Sequence, residues 1–192
     1  MSEPVIDIEA AEQAAGALLD ALGVDRSSGP LAGTPRRIAR AYAELLTPQE
    51  FSLTTFPNEE GYDELVIARD IPFASVCEHH LLPFIGTAVV AYLPGERILG
   101  LSKLARVVEM FARRPQVQER MTTQIAHWLQ DSLAPKGVGI VLTAEHTCMT
   151  IRGVGARGAT TVTSSLLGHL RNDARSRSEF LALAHGRHGT TT

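Results

Sequence analysis

The 192-residue chain predicts an α+β layer fold with an antiparallel sheet. Two observations carry this. Segments rich in Val, Ile and Ala fall on both sides of two consecutive helical patterns, and an amphipathic helical stretch precedes them all. At 44% hydrophobic content the chain is long enough for one well-buried core and too short for two independent domains of ordinary size. The division expected is an N-terminal helical arm over residues 1–50 and one globular unit over residues 51–192.

In chain order, Val5, Ile8, Ala11, Ala15, Leu18, Leu19 and Leu22 recur mostly every three or four residues, predicting a helix over 5–23 that serves as a docking arm. Thr34-Pro35 supplies an N-cap and a first-turn proline for a second helix, whose stripe is Ile38, Tyr42, Leu45 and Leu46. Pro, Thr, Ser, Asn and Gly between Thr47 and Tyr62 read as a loop. Strands are expected over 64–73 and 86–93, with Pro94-Gly95 as the following turn. Ser102 caps a helix bearing Leu104, Val107, Val108 and Phe111 on one face, and Pro115 separates it from another over 116–133. Strands over 138–144, 147–152 and 159–163 and a short helix around 178–183 complete the pattern before a polar tail.

No apolar run approaches the roughly 20 residues of a membrane span, and Met1-Ser2-Glu3 lacks the basic start of a secretory signal. A cytoplasmic address and no membrane partner follow as expectations. The net charge of −3 hides an asymmetry: residues 1–70 hold thirteen acids against five bases, residues 97–157 nine bases against four acids. A pI near 6.2 argues against a polybasic nucleic-acid surface. A small anionic substrate suits the basic half better.

The two cysteines are too few for a disulfide framework. Cys77-Glu78-His79-His80 and, far along the chain, His146 and Cys148 instead suggest a zinc site. Zinc takes thiolate sulfur and imidazole nitrogen at roughly 2.0–2.3 Å, and a catalytic ion keeps three protein ligands and one exchangeable position. Cys77 and His80 are three apart, so one turn can aim both at a metal that Cys148 completes from a distant strand. A closed structural site needs a fourth ligand, which only His79 or His146 supplies. In a strand, His146 and Cys148 project from the same face, placing an acid/base imidazole beside a metal ligand. His127, His169, His185 and His188 have no such neighbours and read as surface or packing residues.

Ser102, Lys103 and Arg106 begin a helix, where free N–H groups and the dipole attract phosphate. Arg152 follows Cys148 by four residues and can grip a triphosphate from the other side. The run from Arg113 to Arg120 reads as a solvated helix junction, though the Glu119 carboxylate can accept two N–H bonds from the edge of a base such as guanine.

These residues resemble the GTP cyclohydrolase I family from Thr34 to Leu183. The resemblance rests on Thr34-Pro35-Arg36-Arg37-Ile38-Ala39, Cys77-Glu78-His79-His80-Leu81-Leu82-Pro83-Phe84, Gly100-Leu101-Ser102-Lys103-Leu104-Ala105-Arg106, Arg114-Pro115-Gln116-Val117-Gln118-Glu119-Arg120 and His146-Thr147-Cys148-Met149. It implies a tunnelling fold (T-fold), with small subunits assembled through their sheets into rings and two rings stacked into a homodecamer with active sites between subunits. It implies Zn2+ held by Cys77, His80 and Cys148, with the attacking water in the remaining place. GTP would lose C8 as formate, and its ribose would open, rearrange and reclose to 7,8-dihydroneopterin triphosphate, the first step of pteridine and tetrahydrofolate biosynthesis. His146 would protonate N7, His79 would assist proton transfers at the water and ribose oxygen, and Ser102 would serve the ribose steps. Glu119 with Gln118 beside it would anchor the guanine edge; Lys103, Arg106, Arg152 and, from another subunit, Arg37 would hold the triphosphate. The Gly153–Ala159 stretch is glycine-rich where relatives often show a bulkier turn.

Two rivals make different demands. A nitrile reductase of deazaguanine metabolism, built on the same fold, needs a metal-free cysteine nucleophile and NADPH, which the His79-His80 pair and the second cysteine oppose. A zinc-stapled scaffold needs a saturated four-ligand ion.

Overall fold

The computed structural model describes residues 5–27 and 29–186, so the reading of His188 and of the polar tail lies outside them. They fall into two compact units that divide between Thr47 and Pro48. The first holds α1 (Ile8–Ala21), a 3-10 turn and α2 (Thr34–Leu45). Asp7, rather than Val5, starts α1: its carboxylate accepts the Ala10 N–H at 2.9 Å, while Val5 is 96% exposed. Gly23, at φ 74°, ends the helix because its missing Cβ permits the left-handed turn. Ala15 is buried, but Leu18 and Leu22 are exposed, so only part of the expected stripe packs. In α2 the N-cap is Gly33 with no side-chain bond, and Thr34 is already helical; its hydroxyl accepts from Arg37 instead of capping.

The second unit holds β1 (Thr55–Pro57), β2 (Val66–Cys77), β3 (Pro83–Leu93), β4 (Arg97–Leu99), α3 (Ser102–Ala112), β5 (Pro115–Gln116), α4 (Gln118–Leu133), β6 (Gly137–His146), α5 (Thr147–Thr150), β7 (Thr161–Gly168), α6 (His169–Asn172) and α7 (Ala174–His185). The main sheet runs in the order β5-β2-β3-β6-β7, antiparallel except for the short parallel β5 edge, and β1 pairs with β4 separately. The architecture is therefore α+β, its longer elements running as two strands (β2, β3), two helices (α3, α4) and two strands (β6, β7), with short elements between them. None of the described helices is long and apolar enough to cross a membrane.

Alternation along the strands decides what the sheet covers. Phe73, Phe84, Val90, Tyr92, Ile140 and Leu142 face Leu104, Val107 and Val108 of α3 and Met121, Ile125 and Leu129 of α4, forming the main core. Buried Tyr92 satisfies its hydroxyl by accepting the Leu99 N–H at 2.9 Å. The opposite face is covered only in part, where Val89, Ala91 and Val141 meet Leu170 and Phe180.

Several elements depart from the sequence reading for identifiable reasons. β2 runs on to Cys77 and β3 begins at Pro83, because the hairpin pairing, after a register shift between Ala68 and Ile71, continues to Val76↔Pro83. The expected 47–62 loop contains β1, whose partner β4 lies about 40 residues away and left no local periodicity. Ser102 is the first residue of α3, not its cap; Leu101 occupies that position without a side-chain bond. Gln116 belongs to β5, its carbonyl accepting the Glu78 N–H, so α4 starts at Gln118. The expected 147–152 strand is the helical turn α5, held by the Thr147 hydroxyl on the Pro83 carbonyl at 2.6 Å and by the Ala156 N–H on the Met149 carbonyl at 3.0 Å. β7 starts and ends later than expected, at Thr161 and Gly168, because its full length pairs with β6. The short C-terminal helix is longer, and α6 precedes it.

Gly86 is the tightest point of the β3–β6 pair: an added Cβ would lie 2.0 Å from the Thr143 carbonyl oxygen and 2.7 Å from Ala144 Cα. Both obstacles are backbone or bound to it, so no rotamer relieves them. Gly86→Ala is expected to lower stability by about 3 kcal/mol, the upper end of overpacking costs, read as a shift in the urea midpoint at unchanged slope.

Candidate metal centre and active site

The site is built where the β2–β3 hairpin, the start of α4 and the end of β6 converge. After Cys77 the chain closes a tight turn: the Leu81 N–H donates to the Cys77 carbonyl at 2.8 Å and the Cys77 N–H to the Leu82 carbonyl at 2.9 Å. Leu81 takes a left-handed φ of 52° to make this possible. The Glu78 carboxylate pairs with Arg120 of α4 and its N–H donates to the Gln116 carbonyl at 3.0 Å, tying the turn to the helix start. The Arg120 guanidinium also holds the Glu78 carboxyl below its ordinary pKa.

This turn brings His80 to Cys77, and the pinned turn α5 brings Cys148 to both. Their ligand atoms all lie within 4.8 Å of one another. His79 Nδ1 also approaches the Cys77 sulfur, at 3.8 Å, against 3.9 Å for His80 Nδ1, but it is His80 that shares the three-way grouping with Cys148. His146 reaches the same cavity from the last position of β6, and Cys148 from the helical turn beyond it, so the two meet at a strand end rather than along one strand face.

The donor set suits a soft or borderline dication. Burial and the neighbouring Cys77 sulfur push the Cys148 thiol pKa up, while the Arg152 charge draws it down. A cation bound at Cys148 reverses that rise, since the thiolate is the form that ligates metal. Two sulfurs and one imidazole within mutual reach match zinc in donor type.

A cavity of about 250 Å³ opens over this group, lined also by His79, Glu119 and His146. The His146 ring stacks on Phe84, centroids 4.5 Å apart and planes 5° from parallel, as the Phe84↔His146 register requires. Its Nε2 lies 2.7 Å from Gln118 Oε1. Burial lowers the His146 pKa below its ordinary value, and the Glu119 charge opposes that shift.

The other expected site residues are more dispersed. Ser102 and Arg106 are exposed at the start of α3, and Lys103 places its ammonium 5.7 Å from the centre of the Phe51 ring. Arg152 is exposed just beyond α5, close enough to act electrostatically on Cys148. Arg37 lies in the N-terminal unit, its guanidinium donating to the Pro30 carbonyl and the Thr34 hydroxyl. Gln118 faces inward. His127, His169 and His185 are exposed, the last with Nδ1 2.7 Å from the Leu181 carbonyl.

The GTP cyclohydrolase I family model matches residues 11–185. The chain belongs to the GTP cyclohydrolase I family. Among curated relatives, GTP cyclohydrolase 1 of Aquifex aeolicus (strain VF5) is 48% identical over 181 residues, covering 94% of this chain and 98% of that one. GTP cyclohydrolase 1 of Halalkalibacterium halodurans is 48% identical over 187 residues, with coverage of 94% and 98%. That of Sulfurihydrogenibium sp. (strain YO3AOP1) is 47% identical over 179 residues, covering 93% and 96%. Among solved structures, the archaeosine synthase QueF-Like in the apo form is similar at a TM-score of 0.45 and 15% identity, over 54% of this chain and 93% of that one, a likeness too partial to carry an argument. Membership in the GTP cyclohydrolase I family disposes of the nitrile-reductase rival.

Phe84 and Arg120 escaped the sequence reading. The Phe84–His146 stack depends on a register between distant strands, and Arg120 looks like any helix-face cation until its partner Glu78 is seen across the turn. Gln116, Val117, Met149 and Thr161 complete the cavity wall without any chemical signature of their own.

Proposed function

We infer that this chain is a zinc-dependent GTP cyclohydrolase I, which hydrolyses and rearranges GTP to 7,8-dihydroneopterin triphosphate with release of formate. The observation that carries this is the grouping of Cys77, His80 and Cys148 in a cavity that His146, His79 and Glu119 also line. Bound by those three side chains, zinc supplies the Lewis acidity that makes water a nucleophile near neutral pH.

The chain's own groups divide the remaining work. His146, flat on Phe84, delivers a proton to purine N7 and makes C8 electrophilic; a pKa drawn below the ordinary histidine value favours release of that proton. His79, exposed at the cavity mouth, moves protons at the water and the ribose oxygen. Glu119 accepts two N–H bonds from the guanine edge, which fixes C8 toward the metal group. Lys103, Arg106 and Arg152, with Arg37 supplied by another subunit, hold the triphosphate, and Ser102 serves the ribose steps.

The assembly we infer is a tunnelling-fold homodecamer whose sites are completed by a neighbouring subunit. Three features support it: the β2-β3, α3-α4, β6-β7 succession, the sheet edge offered by β7, and the outward Ile85 and Val162, 58% and 57% exposed. The exposed Ser102 and Arg106 lie outside the cavity wall of one chain, as residues awaiting another chain's cavity would.

Incubation of the zinc-loaded protein with GTP tests the function: formate and, after oxidation, a fluorescent pterin are expected, and their absence with zinc bound contradicts it. Glu119 gives a sharper test of substrate choice. Glu119→Ala is expected to lower kcat/KM for GTP by about 10- to 100-fold, the worth of a charge-assisted hydrogen bond of about 1.5–3 kcal/mol. Inosine triphosphate, which lacks the amino group, should then be used no worse than GTP.

A further inference from the structure

Gln118 opens α4 at the cavity wall, yet only 1% of it is exposed. Its amide nitrogen lies 3.2 Å from the Leu142 carbonyl oxygen, 3.0 Å from the Thr161 carbonyl oxygen and 3.1 Å from the Thr163 hydroxyl. Backbone carbonyls only accept, so the nitrogen must face them, and Oε1 is the atom 2.7 Å from His146 Nε2. Turning the amide over would set its oxygen against two carbonyl oxygens, a buried repulsion with no compensating bond.

The hydroxyls fix the same direction. Thr122 donates its single hydrogen to the Gln118 backbone carbonyl at 2.7 Å, so in the 2.7 Å contact between Thr122 and Thr163 the donor is Thr163. Thr163 is then free only to accept from Gln118. A closed circuit runs from the Gln118 amide through Thr163 and Thr122 back to the Gln118 carbonyl, and it leaves no rotor undetermined.

We propose that Gln118 is a positioning residue for His146: as acceptor it fixes the imidazole in the Nε2–H tautomer, with the lone pair on Nδ1, and it makes no contact of its own with the purine. Stacking on Phe84 sets the plane of the ring, and Gln118 sets its rotation within that plane. Both the neutral and the charged imidazole offer Nε2–H to Oε1, so the hold persists through a proton transfer. The proposal deepens the reading of His146 as proton carrier and rests on it. It departs from the role that the family resemblance implies for Gln118, at the guanine edge beside Glu119.

The test has two arms. In the zinc-loaded, full-length protein with 15N-labelled histidine, the His146 signal, assigned by its loss in His146→Ala, is expected to show a proton-bearing Nε2 and a bare Nδ1. A bare Nε2 overturns the proposal, and this arm needs no substrate. In the second arm Gln118→Met keeps the side-chain length and removes the hydrogen bonds. Formate release is expected to lose about 10- to 100-fold in kcat, the usual cost of losing a partner that orients a histidine, with KM for GTP unchanged and the His146 tautomer no longer fixed. Raised KM with unchanged kcat and an unchanged tautomer means a substrate contact and overturns it. Should Gln118→Met not fold, Thr163→Val breaks the same circuit one bond further back, and the same pattern, by a smaller factor, is expected. If the wild-type protein releases no formate, the cyclohydrolase reading falls while the nitrogen spectrum still judges the tautomer.

Discussion

His146→Ala is expected to abolish formate release, by about 10²–10⁴-fold in kcat, while zinc content and assembly stay at wild-type levels. The reason is the division of labour at the end of β6. His146 contributes none of the three grouped ligand atoms, so its loss removes the proton carrier and leaves the metal donors in place. A second effect is structural. The change strips the stack from Phe84 and leaves the buried Gln118 Oε1 without a donor, which costs about 1–3 kcal/mol of stability. Stability and activity therefore both fall, and metal analysis separates this account from a scaffold: a protein that loses its zinc with His146 would make that histidine a fourth ligand and the site a closed staple.

Cys148→Ala is expected to do the reverse, removing bound zinc and, with it, all activity. Cys148 is the one donor of the three that comes from outside the Cys77–His80 turn, so without it two ligands three residues apart remain. Wild-type protein should gain thermal stability on zinc addition, by linkage to metal that binds only the folded form, and Cys148→Ala should gain none. The fold itself is expected to survive, because α5 is held through the Thr147 hydroxyl and the Met149 carbonyl rather than through the sulfur. Retention of stoichiometric zinc by Cys148→Ala contradicts the donor assignment.

The long elements were legible because their periodicity records burial directly. Leu104, Val107 and Val108 on α3 sit in the core as their spacing requires, and Val90 of β3 joins Val138 and Ile140 of β6 in that same core. Cys77, His80 and Cys148 were legible because few other roles suit two thiols and an imidazole in a chain without a disulfide framework. What stayed hidden was set by contacts between distant residues. Residues 147–152 look like a strand by composition, yet the Thr147 bond to Pro83 bends them into a turn, and only that bend explains how residues two apart both reach one cavity. Gln118 reads as a polar helix-start residue beside Glu119; its burial follows from Thr161 and Thr163 on β7, some forty residues on, which no local pattern announces. The same holds for Phe84, whose stacking partner is fixed by sheet register alone.

X-ray absorption at the zinc edge of the loaded protein tests the three-donor centre most directly. The account expects two sulfurs near 2.3 Å, a single imidazole and one further light atom that exchanges with solvent. A second imidazole in the first shell, or a fourth protein donor of any kind, would contradict it.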